Sequence, residues 1–397
     1  VSLKKQKKAA RKLKKVLQSR RLYGNIEALS GKNSATKGKY GMKTYGIVLI
    51  GCGHIGLAHL TDIYYRDNVR IVACVDTNLS AAREAARRFG ALAFGPDYRP
   101  FLERADVDIC IIATYTASHL PIMQDCFAHG KHVLCEKPAA RTYADALEMQ
   151  KAQHETGKVL NIGVVNRFNT AVNKLRELIQ RGDFGEIYHV YVSFRAHRSI
   201  PGLGGPFTTK ELAGGGVLID WGVHYLDLIN YVLGIKECRT VSGACYSKLA
   251  TNMREYVYEN MWAGPPDYNG TYDVEEYVTG FIRTDKATIS LNGSWAENIN
   301  DPASTFIEFI GDKGGIKLTY GGGFTFFGTK DGKLWQETPE IKVDNMFNDM
   351  FYEELKAFVE CVNSGEHIRS YVDNNLITAQ MMQGLYDSAE LGKEVSF

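Results

Sequence analysis

Between Gly46 and Phe168 the chain alternates two hydrophobic periods. Short, continuous apolar runs, "GIVLI" from 46, "VRIVACV" from 69, "DICIIA" from 108, "KHVLC" from 131 and "VLNIGVV" from 159, read as strands buried on both faces. Between them, "LSAAREAARRFG", "SHLPIMQDCFAHG" and "TYADALEMQKAQHETG" space their apolar residues as helices do. Repeated units of this kind predict a doubly wound parallel sheet over 44–166, with ligand at the carboxyl ends of its strands. Beyond Asn166 and Arg167 the pattern changes. In "EIYHVYVSFRAHR", Tyr188, Val190, Val192 and Phe194 alternate with His189, Tyr191, Ser193 and Arg195, and seven further short runs read as strands, the last two joined by a turn at Asp331 and Gly332. Residues 167–397 are therefore expected to form an α+β domain on a large, mainly antiparallel sheet with one face open. Its other face is expected to carry helices near 217–233, 346–363 and 374–391.

Composition refines this picture without changing it. A chain of 397 residues that is 45% apolar can bury two cores, and no stretch approaches the roughly 18 apolar residues of a membrane span. Eight cysteines without a CxxC pair, several inside apolar runs, fit a reduced, cytoplasmic protein. The net charge of +2 conceals an asymmetry: residues 1–43 hold 14 Lys/Arg against the single acid Glu27, so the body is acidic. That basic extension reads as a solvated tail, or as a basic helix for nucleic acid or an acidic neighbour. Nucleic acid is the less favoured partner. "SRRLY" lacks the apolar segment an export signal needs, and Met42 stands where a chain of this kind would ordinarily begin.

Three strand ends carry chemistry. Gly51, Gly53 and Gly56 form GxGxxG at a strand-to-helix junction, where the glycines permit a tight turn, a close phosphate and close packing. Asp76 ends the next strand 20 residues later and suits the ribose hydroxyls of NAD, while repelling the 2′-phosphate of NADP. Gly51, Gly53, His54, Ile55, Gly56, Asp76 and Thr77 are the expected contacts of this Rossmann-type site. Lys137, in "CEKP", sits at a strand end before Pro138, which turns it from helical geometry. A lysine beside a nicotinamide would polarise a substrate hydroxyl or take part in proton transfer.

"DWGVH" places Asp220 four residues before His224, about 40° apart on an α-helix. Metal ligation, a nucleophile's helper, a proton relay and packing all fit that spacing. No cluster of further ligands lies near it in the sequence, so no metal is expected. GxGxxG, the terminal Asp, "EKP", "NRF" and "GGGVLIDWGVH" in this order resemble the Gfo/Idh/MocA oxidoreductases across residues 44–397. The resemblance implies that Lys137, Asp220 and His224 surround the substrate, and that a homodimer or homotetramer forms through the open sheet. It also places Thr114, Tyr115, His119 and Glu136 by the cofactor, with Tyr115 departing from the family's TPNxxH run. The implied substrates are secondary alcohols of sugars, glycosides or cyclitols.

With NAD as hydride acceptor, His224 is the expected base, Lys137 holds the reacting oxygen, and Asp220 either fixes the imidazole or grips a neighbouring hydroxyl. Asn166, Arg167, His197 and Trp221 are the candidate substrate contacts, with Trp295 and Arg195 as further walls. Gly214, Gly215 and Gly216 are expected to let backbone approach the substrate. Two rivals stay open: a glycosidase using transient oxidation by NAD, and a sugar-sensing regulator without catalysis.

Overall fold

The computed structural model describes residues 43–61, 68–258, 261–300 and 303–397; the readings of the basic extension over 1–42 lie outside them. Six parallel strands form the first sheet: β1 (Tyr45–Ile50), β2 (Val69–Val75), β3 (Ala93–Gly95), β4 (Ile109–Ile112), β5 (His132–Glu136) and β6 (Leu160–Gly163), in the order 3-2-1-4-5-6. Every residue of β1, β4 and β6 is buried, as continuous apolar runs require when helices cover both faces. Helix α1 (His54–His59) follows the glycine turn. Helix α2 (Leu79–Phe89) starts where the Asn78 side chain accepts from Ser80 and Ala81 N–H and stops at left-handed Gly90. Helices α3 (His119–Ala128) and α4 (Tyr143–Thr156) complete this layer.

Helix α5 (Thr170–Arg181) leads into a nine-stranded sheet. Its strands are β7 (Ile187–Ala196), β8 (Cys238–Tyr246), β9 (Tyr277–Thr284), β10 (Thr288–Ser294), β11 (Ala303–Gly311), β12 (Gly314–Thr319), β13 (Phe324–Lys330), β14 (Lys333–Glu337) and β15 (Val395–Ser396). All neighbours are antiparallel except β7 with β10. Val190, Val192 and Phe194 point into the core as their alternation predicts, but Tyr188 is 53% exposed. The register with β11 slips there, Ile310 facing His189 and Gly311 facing Ile187, so Tyr188 is the unpaired residue of a bulge and turns outward.

The covering helices depart from expectation in two ways. Residues 217–233 are not one α-helix: a π-helical turn, Leu218–Gly222, precedes α6 (Val223–Leu233). Of the C-terminal pair, α8 (Leu376–Leu391) packs Met381, Met382 and Leu385 into the second core, whereas α7 (Phe351–Ser364) gives Leu355, Phe358, Val359 and Cys361 to the first. The chain thus returns to cover the parallel sheet, which ties the two layers together at the carboxyl ends of its strands.

Candidate active site

The glycine turn is shaped by close approach on two sides and by room on the third. Gly51 has φ +96° and a Cβ there would lie 2.4 Å from the Ala113 carbonyl oxygen; at Gly56 a Cβ would lie 2.0 Å from the Gly51 oxygen. At Gly53 nothing lies within 4 Å, leaving the space a pyrophosphate needs in front of the helix. Asp76 is aimed at this turn, accepting from Cys52 N–H at 2.8 Å and Asn78 N–H at 2.7 Å, and remains partly exposed beside open Thr77. The residues present therefore fit an NAD dinucleotide. Ile55 spends part of its side chain on the small cluster of Ala58, Val165, Met350 and Phe351. His54 lies beside Trp262, ring centroids 6.4 Å apart, so the loop after β8 reaches the glycine turn.

Around β5 the expected contacts divide. Tyr115 is 48% exposed, and Thr114 accepts from the Ser118 hydroxyl at 2.7 Å. His119 is instead a buried brace: its ring nitrogens lie 3.0 Å from the Pro138 oxygen and 3.1 Å from the Thr114 oxygen, and burial lowers its pKa. Glu136 also turns inward, with Oε1 2.7 Å from His59 Nε2 and Oε2 accepting from Lys137 N–H. Both hold the strand ends in place, with their polar atoms already engaged.

Lys137, before a cis peptide bond to Pro138, crosses to the second layer. Its Nζ donates to the Asp220 carbonyl at 2.9 Å and to Asp220 Oδ1 at 3.2 Å. Asp220 Oδ2 is buried and without a partner. His224 lies beside this pair, part-buried, with Asn166 Nδ2 3.3 Å from Nδ1. Burial, and then the Lys137 charge, push the imidazole pKa well below its ordinary range, so the ring is neutral at physiological pH. Among the described residues no hydrogen bond joins Asp220 to His224. Asp220 lies in a π turn, and such turns recur at functional sites.

Several sequence-based candidates belong elsewhere. Arg167 is 2% exposed and its guanidinium is spent on Asp227, at 2.7 and 2.8 Å, and on the carbonyls of Arg369 and Asn374. His197 sits at the end of β7 with Nδ1 3.0 Å from the Glu297 oxygen. Arg195 pairs with Glu297, Trp295 is fully buried, and Trp221 packs partly on the second core. The glycine triplet approaches protein rather than substrate. A Cβ at Gly215 would lie 2.0 Å from the Tyr386 hydroxyl and one at Gly216 1.9 Å from the Glu275 oxygen. Glu275 was not legible as a site residue: its carboxylate caps the helix by accepting from Gly216 and Leu218 N–H and from the Tyr386 hydroxyl. Tyr320, whose hydroxyl is 2.9 Å from Asn166 Nδ2, was equally hidden among the glycines after β12.

A glycine turn with room for a pyrophosphate and a cluster of a lysine, an aspartate and a neutral histidine fit a nicotinamide-dependent oxidoreductase. Residues 45–164 match the oxidoreductase family with NAD-binding Rossmann fold, and residues 172–317 match the GFO/IDH/MocA C-terminal domain. D-glucoside 3-dehydrogenase of Escherichia coli (strain K12) is 30% identical over 351 residues, 88% of this chain and 96% of that protein. scyllo-Inositol 2-dehydrogenase (NAD(+)) of Bacillus subtilis (strain 168) is 24% identical, covering 80% of this chain and 86% of that protein. The structure of levoglucosan dehydrogenase with NADH and levoglucosan superposes with a TM-score of 0.77 at 21% identity, over 89% of this chain and 99% of that one. The chain belongs to the Gfo/Idh/MocA family of oxidoreductases, and its first layer is that family's NAD-binding domain.

Proposed function

We propose that the protein is an NAD-dependent dehydrogenase oxidising a secondary hydroxyl of a sugar, glycoside or cyclitol, with residues 44–166 binding the cofactor and 167–397 the substrate. The observation that carries this reading is the buried, unpartnered Oδ2 of Asp220, whose Oδ1 accepts from Lys137, the cation whose charge acts on the neutral His224. A buried carboxylate oxygen without a donor is costly, and a substrate hydroxyl supplies the missing donor. The names of the relatives support the same class of polyhydroxylated substrate.

Bound NAD, held by Gly51, Gly53, Gly56 and Asp76, supplies the hydride acceptor. The chain's own residues handle the proton and the orientation. The Lys137 ammonium donates to the reacting oxygen and stabilises its developing negative charge. His224, neutral at physiological pH, takes the hydroxyl proton. Asp220 fixes Lys137 through Oδ1 and receives a second hydroxyl at Oδ2, which favours substrates with adjacent hydroxyls. The free cysteines suit the reducing cytoplasm, and no helix among the described residues is long and apolar enough to cross a membrane. Exposed Tyr191 and Tyr246 on the outer face of the large sheet support a second copy of the chain there, which light scattering tests.

The direct test is absorbance of NADH with a panel of sugars, glycosides and inositols. NADH should accumulate with at least one glycoside or cyclitol and be lost in Lys137→Ala and His224→Ala. Undiminished turnover in both variants overturns the site. Release of an aglycone without net NADH supports the glycosidase reading instead.

A further inference from the structure

Asn166 reads from the sequence as a substrate contact, yet the structure places it behind His224. It comes from the 3₁₀ turn Val165–Phe168 after β6 and is buried. Its Nδ2 donates to the Tyr320 hydroxyl at 2.9 Å and lies 3.3 Å from His224 Nδ1. Tyr320 is itself fixed by stacking: its ring lies 4.5 Å from that of Tyr225, which stacks 4.7 Å from Phe194. The groups facing His224 are thus Lys137 from the end of β5, Asp220 from the preceding π turn, and Asn166 and Tyr320 on the far side.

In this arrangement His224 Nδ1 is an acceptor, so the neutral ring carries its proton on Nε2. That tautomer cannot receive a proton at Nε2, and being neutral it does not give one to a carbonyl either. Oxidation of an alcohol starts from the other neutral tautomer, with the ring proton moved from Nε2 to Nδ1: the substrate O–H bond breaks, an Nε2–H bond forms, and the Nδ1–H of the ring must be donated to something both before and after the transfer. A half-turn of the Asn166 amide places Oδ1 where Nδ2 now lies, and Oδ1 then accepts both Nδ1–H and the Tyr320 O–H. The Tyr320 hydroxyl accepts from the amide in one state and donates to it in the other.

We propose that Asn166 is a positioning residue that never touches substrate: its amide, backed by Tyr320, sets the tautomer of His224, holding the neutral ring as Nε2–H in the orientation seen and, after a half-turn, as the Nδ1–H form whose Nε2 takes the substrate proton. The proposal rests on the hydride-transfer reading for its kinetic consequences, but the hydrogen-bond states themselves do not need it.

Two measurements separate them. Nitrogen-15 shifts of the histidines, with His224 assigned by its loss in His224→Gln, should report Nε2–H in the neutral wild-type ring. In Asn166→Asp, which can only accept, they should report Nδ1–H. The same tautomer in both proteins overturns the proposal whether or not any sugar is turned over. On a substrate that is turned over, Asn166→Asp should move the acid limb of kcat/KM upward by about one pH unit, since a carboxylate favours the charged imidazole. Asn166→Leu should lower kcat by about 10- to 100-fold, a usual cost of losing an orienting partner, with KM nearly unchanged. A raised KM with unchanged kcat and unchanged pH profile makes Asn166 a substrate contact and overturns the proposal. If the leucine variant fails to fold, the near-isosteric aspartate carries the test alone.

Discussion

Two carboxylate–cation pairs hang on the same helical segment, and they are finished differently. Asp227, in α6, accepts from the Arg167 guanidinium at both oxygens and from the Asn375 amide and Thr378 hydroxyl at Oδ1. Arg167 gives two more of its N–H groups to carbonyls. Asp220, in the π turn before α6, shares only Oδ1 with Lys137 and leaves Oδ2 buried and empty-handed. Desolvating a charged pair is costly, and a pair that closes all its hydrogen bonds offsets that cost within the fold. One that leaves an oxygen open has room for a donor from a ligand. The first pair locks α6 to the turn after β6 and to the segment before α8; the second is the pair that the proposed function assigns to the substrate.

The sharpest way to break this contrast is to remove the cation from each pair. Lys137→Ala should lower kcat/KM by about 10³- to 10⁴-fold, or about 4–5.5 kcal/mol, with the melting temperature little changed. Arg167→Met leaves Asp227 charged and unpaired and should cost about 3–5 kcal/mol of stability in denaturant titration, while the protein that remains folded keeps most of its kcat.

A third buried carboxylate sharpens the rule from the other side. Glu354 in α7 is wholly buried with both oxygens unpartnered, and burial, with Glu136 and Asp227 nearby, raises its pKa far above the usual carboxylate range. Below the unfolded value of about 4.3 both states are protonated and nothing is lost; as the pH rises above it the unfolded state ionises and the fold loses stability. Glu354→Gln should therefore stabilise by about 1–3 kcal/mol at pH 8 and by almost nothing at pH 4, read as melting temperature at both pH values.

The smallest effect concerns the cofactor turn. Gly53 has φ −72° and open space around it, so Gly53→Ala should leave the melting temperature unchanged yet weaken NAD by about tenfold, or 1.4 kcal/mol, in a fluorescence titration. Gly56→Ala, blocked by the Gly51 carbonyl, should instead destabilise the fold.

The strands and the glycine turn of GxGxxG were legible because burial on two faces and tight turns leave one-dimensional marks, and the strand ends that carry Asp76 and Lys137 could be placed for the same reason. What lay hidden depends on facing partners. Nothing in "NRF" distinguishes Asn166, which meets His224, from Arg167, which is claimed by a carboxylate 60 residues on. The π turn in "LIDWG" has no period of its own in so short a stretch, so the sequence could not choose between Asp220 fixing the imidazole and gripping a hydroxyl. Helix α7 has an apolar stripe that fits either sheet, and only the fold says that it returns to the first. The bulge that exposes Tyr188 is set by its register with β11, more than a hundred residues away.

The most direct measurement pairs Asp220→Asn with Asp227→Asn in one preparation, following NADH formation and thermal unfolding together. The account predicts a crossed result: Asp220→Asn folds as the wild type does but loses most of its turnover, and Asp227→Asn melts earlier but turns over normally below its transition. If Asp220→Asn keeps full activity, or if Asp227→Asn is inactive while fully stable, the division between a pair that holds the fold and a pair that holds the substrate is contradicted.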